Sequence, residues 1–200
     1  MKIGIYGGTF SPPHNGHIRA AWEFIREIGL DTLLVIPAAI PPHKVEEEKI
    51  DPLLRFEMCR LAFDDEKCVI SDIELKRGGK SYTVLTIEEL KQMYPDDELF
   101  LLCGTDMILT FDSWYRFQDI FSMCTVVYVR REDDPDTKEQ IKGKIEIYTE
   151  QFGAKIRHIS PRTTELSSSD IRTLIKQGED ISELVPPQVK RFICERGLYV

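Results

Sequence analysis

Two histidines, His14 and His17, stand three residues apart around Asn15-Gly16 in the opening stretch MKIGIYGGTFSPPHNGH. Imidazole N–H groups donate hydrogen bonds, and an anion beside them favours their charged form. At this spacing two rings near a helix start can approach one phosphate from two directions. Gly7 and Gly8 end the preceding apolar run, and without side chains they let a ligand come close to the backbone. With Asn15 or Gly16 opening a helix, the first N–H groups carry partial positive charge and form an anion site. The stretch is neither G-x-G-x-x-G nor a Walker loop, since no Gly-Lys-Ser/Thr follows. A lone histidine at a helix start is ordinarily a surface or capping residue. Two of them among Gly, Thr and Pro point to phosphate.

The elements that must position these rings alternate between strand and helix patterns. KIGIYG (Lys2 to Gly7) reads as a buried strand. Ile18, Ala21, Trp22, Ile25 and Ile28 form the apolar stripe of a helix, with Trp22 expected in the core, and Gly29 is a natural stop. TLLVIP (Thr32 to Pro37) is a second strand, followed by an extended loop set by Pro37, Pro41 and Pro42. Helical spacing covers Pro52 to Phe63. CVISDIEL (Cys68 to Leu75) reads as a strand, Lys76 to Lys80 as a turn, and Val84 to Lys91 as a helix ending before Pro95. ELFLLCG (Glu98 to Gly104) is a strongly apolar strand, Phe111 to Phe121 is helical in pieces, and CTVVYVR (Cys124 to Arg130) is the next strand. A helix over Thr137 to Phe152, a short strand over Lys155 to Ile159, and helices over Ser168 to Lys176 and Pro187 to Glu195 complete the chain.

Apolar strands alternating with helices imply an α/β fold: a Rossmann-like, doubly wound parallel sheet with helices on both faces. Residues 1–200 are expected to form a single domain, with 165–200 as a small helical C-terminal part of it. Ligands of such sheets bind at the C-terminal strand ends, so the loops near Gly7, Pro37, Gly104 and Arg130 should line one site.

Composition narrows the classes. A net charge of −8 argues against general nucleic-acid binding, which needs a basic face, but allows a small anionic ligand inside an acidic shell. The five cysteines are scattered without a CxxC pair, against a disulfide framework or structural zinc. No signal-type or membrane-length apolar run is present. The chain reads as cytoplasmic and reducing, with no membrane partner and homo-oligomerisation left open.

The most specific signal is a pair of motifs at opposite ends. GGTFSPPHNGH resembles the G-x-F-x-P-x-H-x-G-H motif of the nucleotidyltransferase superfamily, and LSSSDIR (Leu166 to Arg172) resembles its I-S-S-S/T-x-I-R motif. PPHK (Pro41 to Lys44), SYTVLTI (Ser81 to Ile87), GTD (Gly104 to Asp106), SWYRF (Ser113 to Phe117) and the ending VPPQVKRFICERGLYV extend the likeness over nearly the whole chain. They are similar to one branch, the bacterial nicotinate-nucleotide adenylyltransferases. Ser11 stands where that family often has Asp, Leu166 where it has Ile, and Leu85 where Asp is common.

The resemblance implies transfer of the adenylyl group of ATP to nicotinate mononucleotide, with loss of pyrophosphate, by direct in-line attack without a covalent intermediate. Such chemistry needs positioning and charge neutralisation. His14, His17, Lys44 and Arg172 are then the catalytic residues. ATP would be bound by Gly7, Gly8, Thr9 and Phe10, by both histidines, by Gly104 and Asp106 at adenosine or ribose, and by Ser167, Ser168, Ser169 and Arg172. Arg172 and Ser169 are expected on the β/γ-phosphates. Ser167 and Asp170 also make an S-x-x-D capping pattern, and Arg172 is expected in the first helical turn, where a cation opposes the macrodipole unless an anion is bound. The acceptor would be held by Thr9, Lys44, Tyr82, Thr83, Trp114, Tyr115 and Arg130, or its neighbour Arg131. Tyr82 and Thr83 begin a helix able to receive an anion, and Trp114 can stack on a pyridine. Mg²⁺ would accompany ATP and need few protein ligands; no resident metal site is expected. The alternatives are a phosphopantetheine or other small-substrate adenylyltransferase, and a non-catalytic nucleotide sensor on the same fold.

Overall fold

A computed structural model describes residues 1–42, 50–129, 135–159 and 166–200. Six strands form one sheet in the order β3-β2-β1-β4-β5-β6. They are β1 (Lys2–Gly8), β2 (Thr32–Pro37), β3 (Cys68–Ile70), β4 (Glu98–Gly104), β5 (Thr125–Val129) and β6 (Ile156–Ile159), and every pairing is parallel. This is the doubly wound order whose direction reverses between β1 and β4.

Alternating side chains feed two cores, one on each face. Tyr6, Leu33, Val35, Phe100, Leu102 and Val127 pack on one face. Helices α1 (Asn15–Ile28), α2 (Pro52–Ala62), α8 (Ser168–Lys176) and α9 (Pro187–Arg196) cover it with Phe24, Met58, Ile171 and Ile193. Ile3, Ile5, Leu34, Ile36, Leu101 and Val126 face the other side. There α4 (Thr83–Met93), α5 (Thr105–Leu109), α6 (Phe117–Met123) and α7 (Pro135–Phe152) supply Ile87, Ile108, Phe121 and Tyr148. At Gly4 the α1 face comes so close that an added Cβ would lie 2.4 Å from Leu30 Cδ1 and 2.9 Å from Phe24 Cε1.

Two expectations change, and one short helix is added to them. CVISDIEL is a strand only to Ile70. It then turns into the short α3 (Ile73–Arg77), which puts Glu74 indoors against Thr86. The GTD segment opens α5, which has too few residues to show a helical period. Trp22 is 61% exposed, because the buried side of α1 runs through Ala21, Phe24 and Ile28 and leaves Trp22 beyond the Ile18–Ile25 flank. Gly29 closes α1 in the left-handed conformation (φ 69°), as its sequence position suggested. No helix among the described residues is long and apolar enough to cross a membrane.

Candidate active site

The reversal in strand order opens the site. β1 pairs with β4 only over Lys2–Ile5, whereas its pairing with β2 continues to Gly8 opposite Pro37, and β4 continues along β5 to Gly104. Beyond Ile5 the two central strands part, leaving a crevice at their C-terminal ends. Two cavities lie along it, of about 570 Å³ and about 200 Å³, and Gly7, Gly8, Thr9, Leu102 and Met107 line both. The two glycines act differently. A Cβ on Gly7 would meet nothing within 4 Å, so that position is open for a ligand. A Cβ on Gly8 would strike the Phe10 ring at 2.9 Å. Phe10 itself is buried with a left-handed φ of 49°. It packs edge-on against Tyr6 and His17, so it contributes backbone, not ring, to the larger cavity.

His14 and His17 both line that larger cavity, and both also build the helix that follows. His14 is the N-cap of α1. Its Nδ1 accepts from the His17 N–H at 3.3 Å, and Nδ1 of His17 accepts from the His14 N–H at 3.2 Å, a reciprocal capping box made by imidazoles. Neither Nδ1 can carry a proton while it accepts. The donor proton of each ring therefore belongs on Nε2. The rings lie 3.7 Å apart with a 32° tilt.

The C-terminal motif lies beside this loop. Ser167 caps α8, and Asp170 completes its capping box. Ser168 and Asp170 line the larger cavity, whereas Ser167, Ser169 and Arg172 are not among its lining residues. Arg172 is the fifth residue of α8, past the first turn, and donates to the Ser11 carbonyl at 2.9 Å and to Ser169 Oγ at 3.1 Å. Ser168 Oγ donates to the Pro12 carbonyl at 2.9 Å. Gly104 N-caps α5, and with the exposed Asp106 it lines the same cavity.

The smaller cavity holds Thr9, Tyr82, Thr83, Trp114 and Tyr115. Tyr82 N-caps α4 without any side-chain cap, so the first turn of that helix opens toward the cavity with only backbone donors. Trp114 is half-buried and stacks on Phe111 at 4.6 Å and 14°, which fixes the indole plane. The Tyr82 and Tyr115 rings meet at 4.8 Å. Cys103 lines the larger cavity, but burial pushes its thiol pKa well up, so it is no thiolate nucleophile at neutral pH.

A family model described as cytidylyltransferase-like matches residues 5–174. A probable nicotinate-nucleotide adenylyltransferase of Geotalea daltonii is 39% identical, covering 100% of this chain and 98% of its own length. One of Clostridium botulinum is 35% identical, covering 100% and 99%. The chain belongs to the nicotinate-nucleotide adenylyltransferase family. The fold agrees: Plasmodium falciparum nicotinic acid mononucleotide adenylyltransferase, solved in complex with APC, superposes with a TM-score of 0.77 at 17% identity, covering 99% of this chain and 96% of that one. A putative nicotinate-nucleotide adenylyltransferase of Vibrio parahaemolyticus gives 0.70 at 20%, covering 99% and 94%.

In this member of the adenylyltransferase family, Lys44, Arg130 and Arg131 lie outside the described residues. Two residues that the sequence did not single out also shape the site. Met107 borders both cavities. Arg55 of α2 is buried and donates to the carbonyls of Thr9 (2.8 Å), Ala38 (2.5 Å) and Ala39 (3.2 Å), tying the loop after β1 to the loop after β2. Burial holds its guanidinium below the usual pKa. An arginine inside an amphipathic helix reads in sequence as a surface residue, so no local pattern would have found it.

Proposed function

We propose that this protein transfers the adenylyl group of ATP to nicotinate mononucleotide, releasing pyrophosphate and forming nicotinate adenine dinucleotide, a step of NAD biosynthesis. The observation that carries the reading is the pair of cavities meeting at Gly7–Thr9. A two-substrate, in-line displacement needs adjacent sites for donor and acceptor with a shared wall where the reacting phosphates meet. The larger cavity takes ATP. The Nε2–H groups of His14 and His17, the Gly8–Phe10 backbone and Thr9 would donate to its phosphates, while Gly104 and Asp106 border adenosine. Arg172 reaches the β/γ-phosphates by turning away from the Ser11 carbonyl, and Lys44 approaches from the second loop.

The smaller cavity takes the pyridine nucleotide. Trp114, backed by Phe111, stacks on the ring, and the α4 N-terminus at Tyr82 and Thr83 receives its carboxylate. Tyr115 closes the side of the cavity, and Arg130 or Arg131 would pair with the acceptor phosphate. That phosphate is already ionised and attacks the α-phosphorus directly, so no protein nucleophile is required. Residues 1–200 act as one unit in this reading, because α8 and α9 share the core under α1 and α2.

Among the described residues no group of three or more His, Cys, Asp or Glu is placed to hold a metal. Mg²⁺ would arrive on the ATP phosphates, need few protein ligands and neutralise phosphate charge. The reading is tested by measuring pyrophosphate release from ATP and Mg²⁺ with nicotinate mononucleotide, nicotinamide mononucleotide or phosphopantetheine. Release with nicotinate mononucleotide above the others is expected. Release only with phosphopantetheine refutes the pyridine acceptor, and ATP binding without turnover of any acceptor makes the protein a sensor.

A further inference from the structure

The loop that ends in His14 and leads into the helix turn bearing His17, Thr9 to Asn15, is held largely from outside itself. Arg55 takes the Thr9 carbonyl, Arg172 the Ser11 carbonyl and Ser168 the Pro12 carbonyl. Asn15 donates through its backbone to the Leu184 carbonyl and through its side chain to the Glu183 carbonyl, each at 2.9 Å. A further tie comes from the far end of the chain. After α9, Gly197 (φ 56°) turns the backbone and Tyr199 adopts a left-handed φ of 66°, which L residues rarely do. This brings a buried phenol 3.0 Å from the buried Ser11 hydroxyl, a hydrogen bond spanning 188 residues. A non-glycine residue is held so only when its surroundings over-determine it.

We propose that Tyr199 is a positioning residue for the ATP phosphates, acting through Ser11 on the loop that presents His14 and His17. The proposal rests on the functional reading above in one respect: Arg172 must leave the Ser11 carbonyl to reach a phosphate. When it turns, Ser11 loses one of its two ties. The Tyr199 hydroxyl is the tie that no ligand competes for, so it keeps the loop in register while Arg172 changes partner. The C-terminal helices thus have a task beyond packing.

Tyr199→Phe keeps the ring and removes only the hydroxyl; Ser11→Ala removes the other half of the bond. ATP binding, measured calorimetrically with Mg²⁺ and no acceptor, should weaken about three- to fivefold in either variant, the scale of one net hydrogen bond. The double variant should be no weaker than either single one. Nicotinate mononucleotide binding should be unchanged. The chain has four histidines, so imidazole NMR signals give a second readout: those of His14 and His17 should shift in both variants while that of His158 stays. Wild-type ATP affinity with unmoved histidine signals in Tyr199→Phe overturns the proposal. So does an equal loss for both ligands that follows the melting temperature. Acceptor turnover is not part of these readouts, so a wrong acceptor assignment leaves the latch standing, and a failed latch leaves the acceptor standing.

Discussion

Replacing His17 with Asn or with Gln separates its cap from the donor role proposed for it. Its Nδ1 accepts from the His14 N–H at 3.2 Å, which leaves the ring's donor proton on Nε2, the atom that the proposed function sets on a phosphate. Asn places an amide oxygen about where Nδ1 lies, so it keeps the cap and loses the donor. Gln reaches about as far as Nε2 but has no acceptor at the Nδ1 position, so it keeps a donor and loses the cap. Removing one preorganised donor from developing phosphoryl charge costs about 10²–10³ in kcat. Removing one cap costs about 1 kcal/mol of stability, or roughly 2–4 °C in melting temperature for a chain of this length. His17→Asn should therefore melt near the wild type and turn over about a hundredfold more slowly. His17→Gln should melt a few degrees lower and keep more activity than Asn. Steady-state pyrophosphate release at saturating substrates and a thermal melt on each variant suffice. A His17→Asn enzyme within threefold of wild-type kcat would refute the donor role, and losses that track melting temperature in both variants would reduce His17 to a capping residue.

The remaining expectations concern the frame around that loop. Gly7→Ala should melt like the wild type but bind both substrates worse, since its Cβ meets open cavity, whereas Gly4→Ala should lose about 1–3 kcal/mol of stability from overpacking against Leu30 and Phe24. Arg55→Ala strands one buried and two part-buried carbonyls; about 2–3 kcal/mol of stability should go, and the KM values for both substrates should rise together, because the residue joins both loops. Thr83→Pro removes one N–H from the α4 N-terminus at a position where proline is tolerated after an extended Tyr82 (ψ 121°); it should weaken nicotinate mononucleotide binding while leaving the ATP affinity and the helical circular dichroism unchanged. Burial pushes the Tyr199 hydroxyl from 10.0 up to about 12. The unfolded chain then releases this proton first as pH rises, so stability should fall between about pH 10 and 12, and denaturant titrations of Tyr199→Phe should lack that component.

The sheet was legible because its strands are buried on both faces and therefore read as unbroken apolar runs; Thr32–Pro37 and Glu98–Gly104 begin and end where the residue types do. Short elements were not. CVISDIEL alternates well enough for a strand, but pairing with β2 ends at Ile70 opposite Val35, and Asp72 then starts a helix that five residues cannot announce. Trp22 failed for a related reason. Its spacing from Ile18 and Ile25 is helical, yet which side of a stripe is covered is set by tertiary neighbours.

The site divides along the same physical line. Residues whose role depends on position along the chain, such as Gly7 at a strand end or Thr83 at a helix start, could be placed from sequence. Residues whose role depends on what comes back from far away could not. Arg172 illustrates the limit: its motif announces an anion, but the carbonyl it holds belongs to Ser11, 161 residues earlier. The histidines show a subtler one. Their spacing of three is what would let two side chains face one phosphate, as proposed above, and it is equally what lets residue N-cap and residue N3 cap each other. The bland reading of a helix-start histidine and the catalytic one are thus both served by one geometry. With each Nδ1 committed to the backbone, the ring's orientation and tautomer are set in advance, so in the reaction proposed above the donor would meet the developing charge with no reorganisation. On that proposal, the cap is the means by which an ordinary helix start would become a preorganised phosphate site.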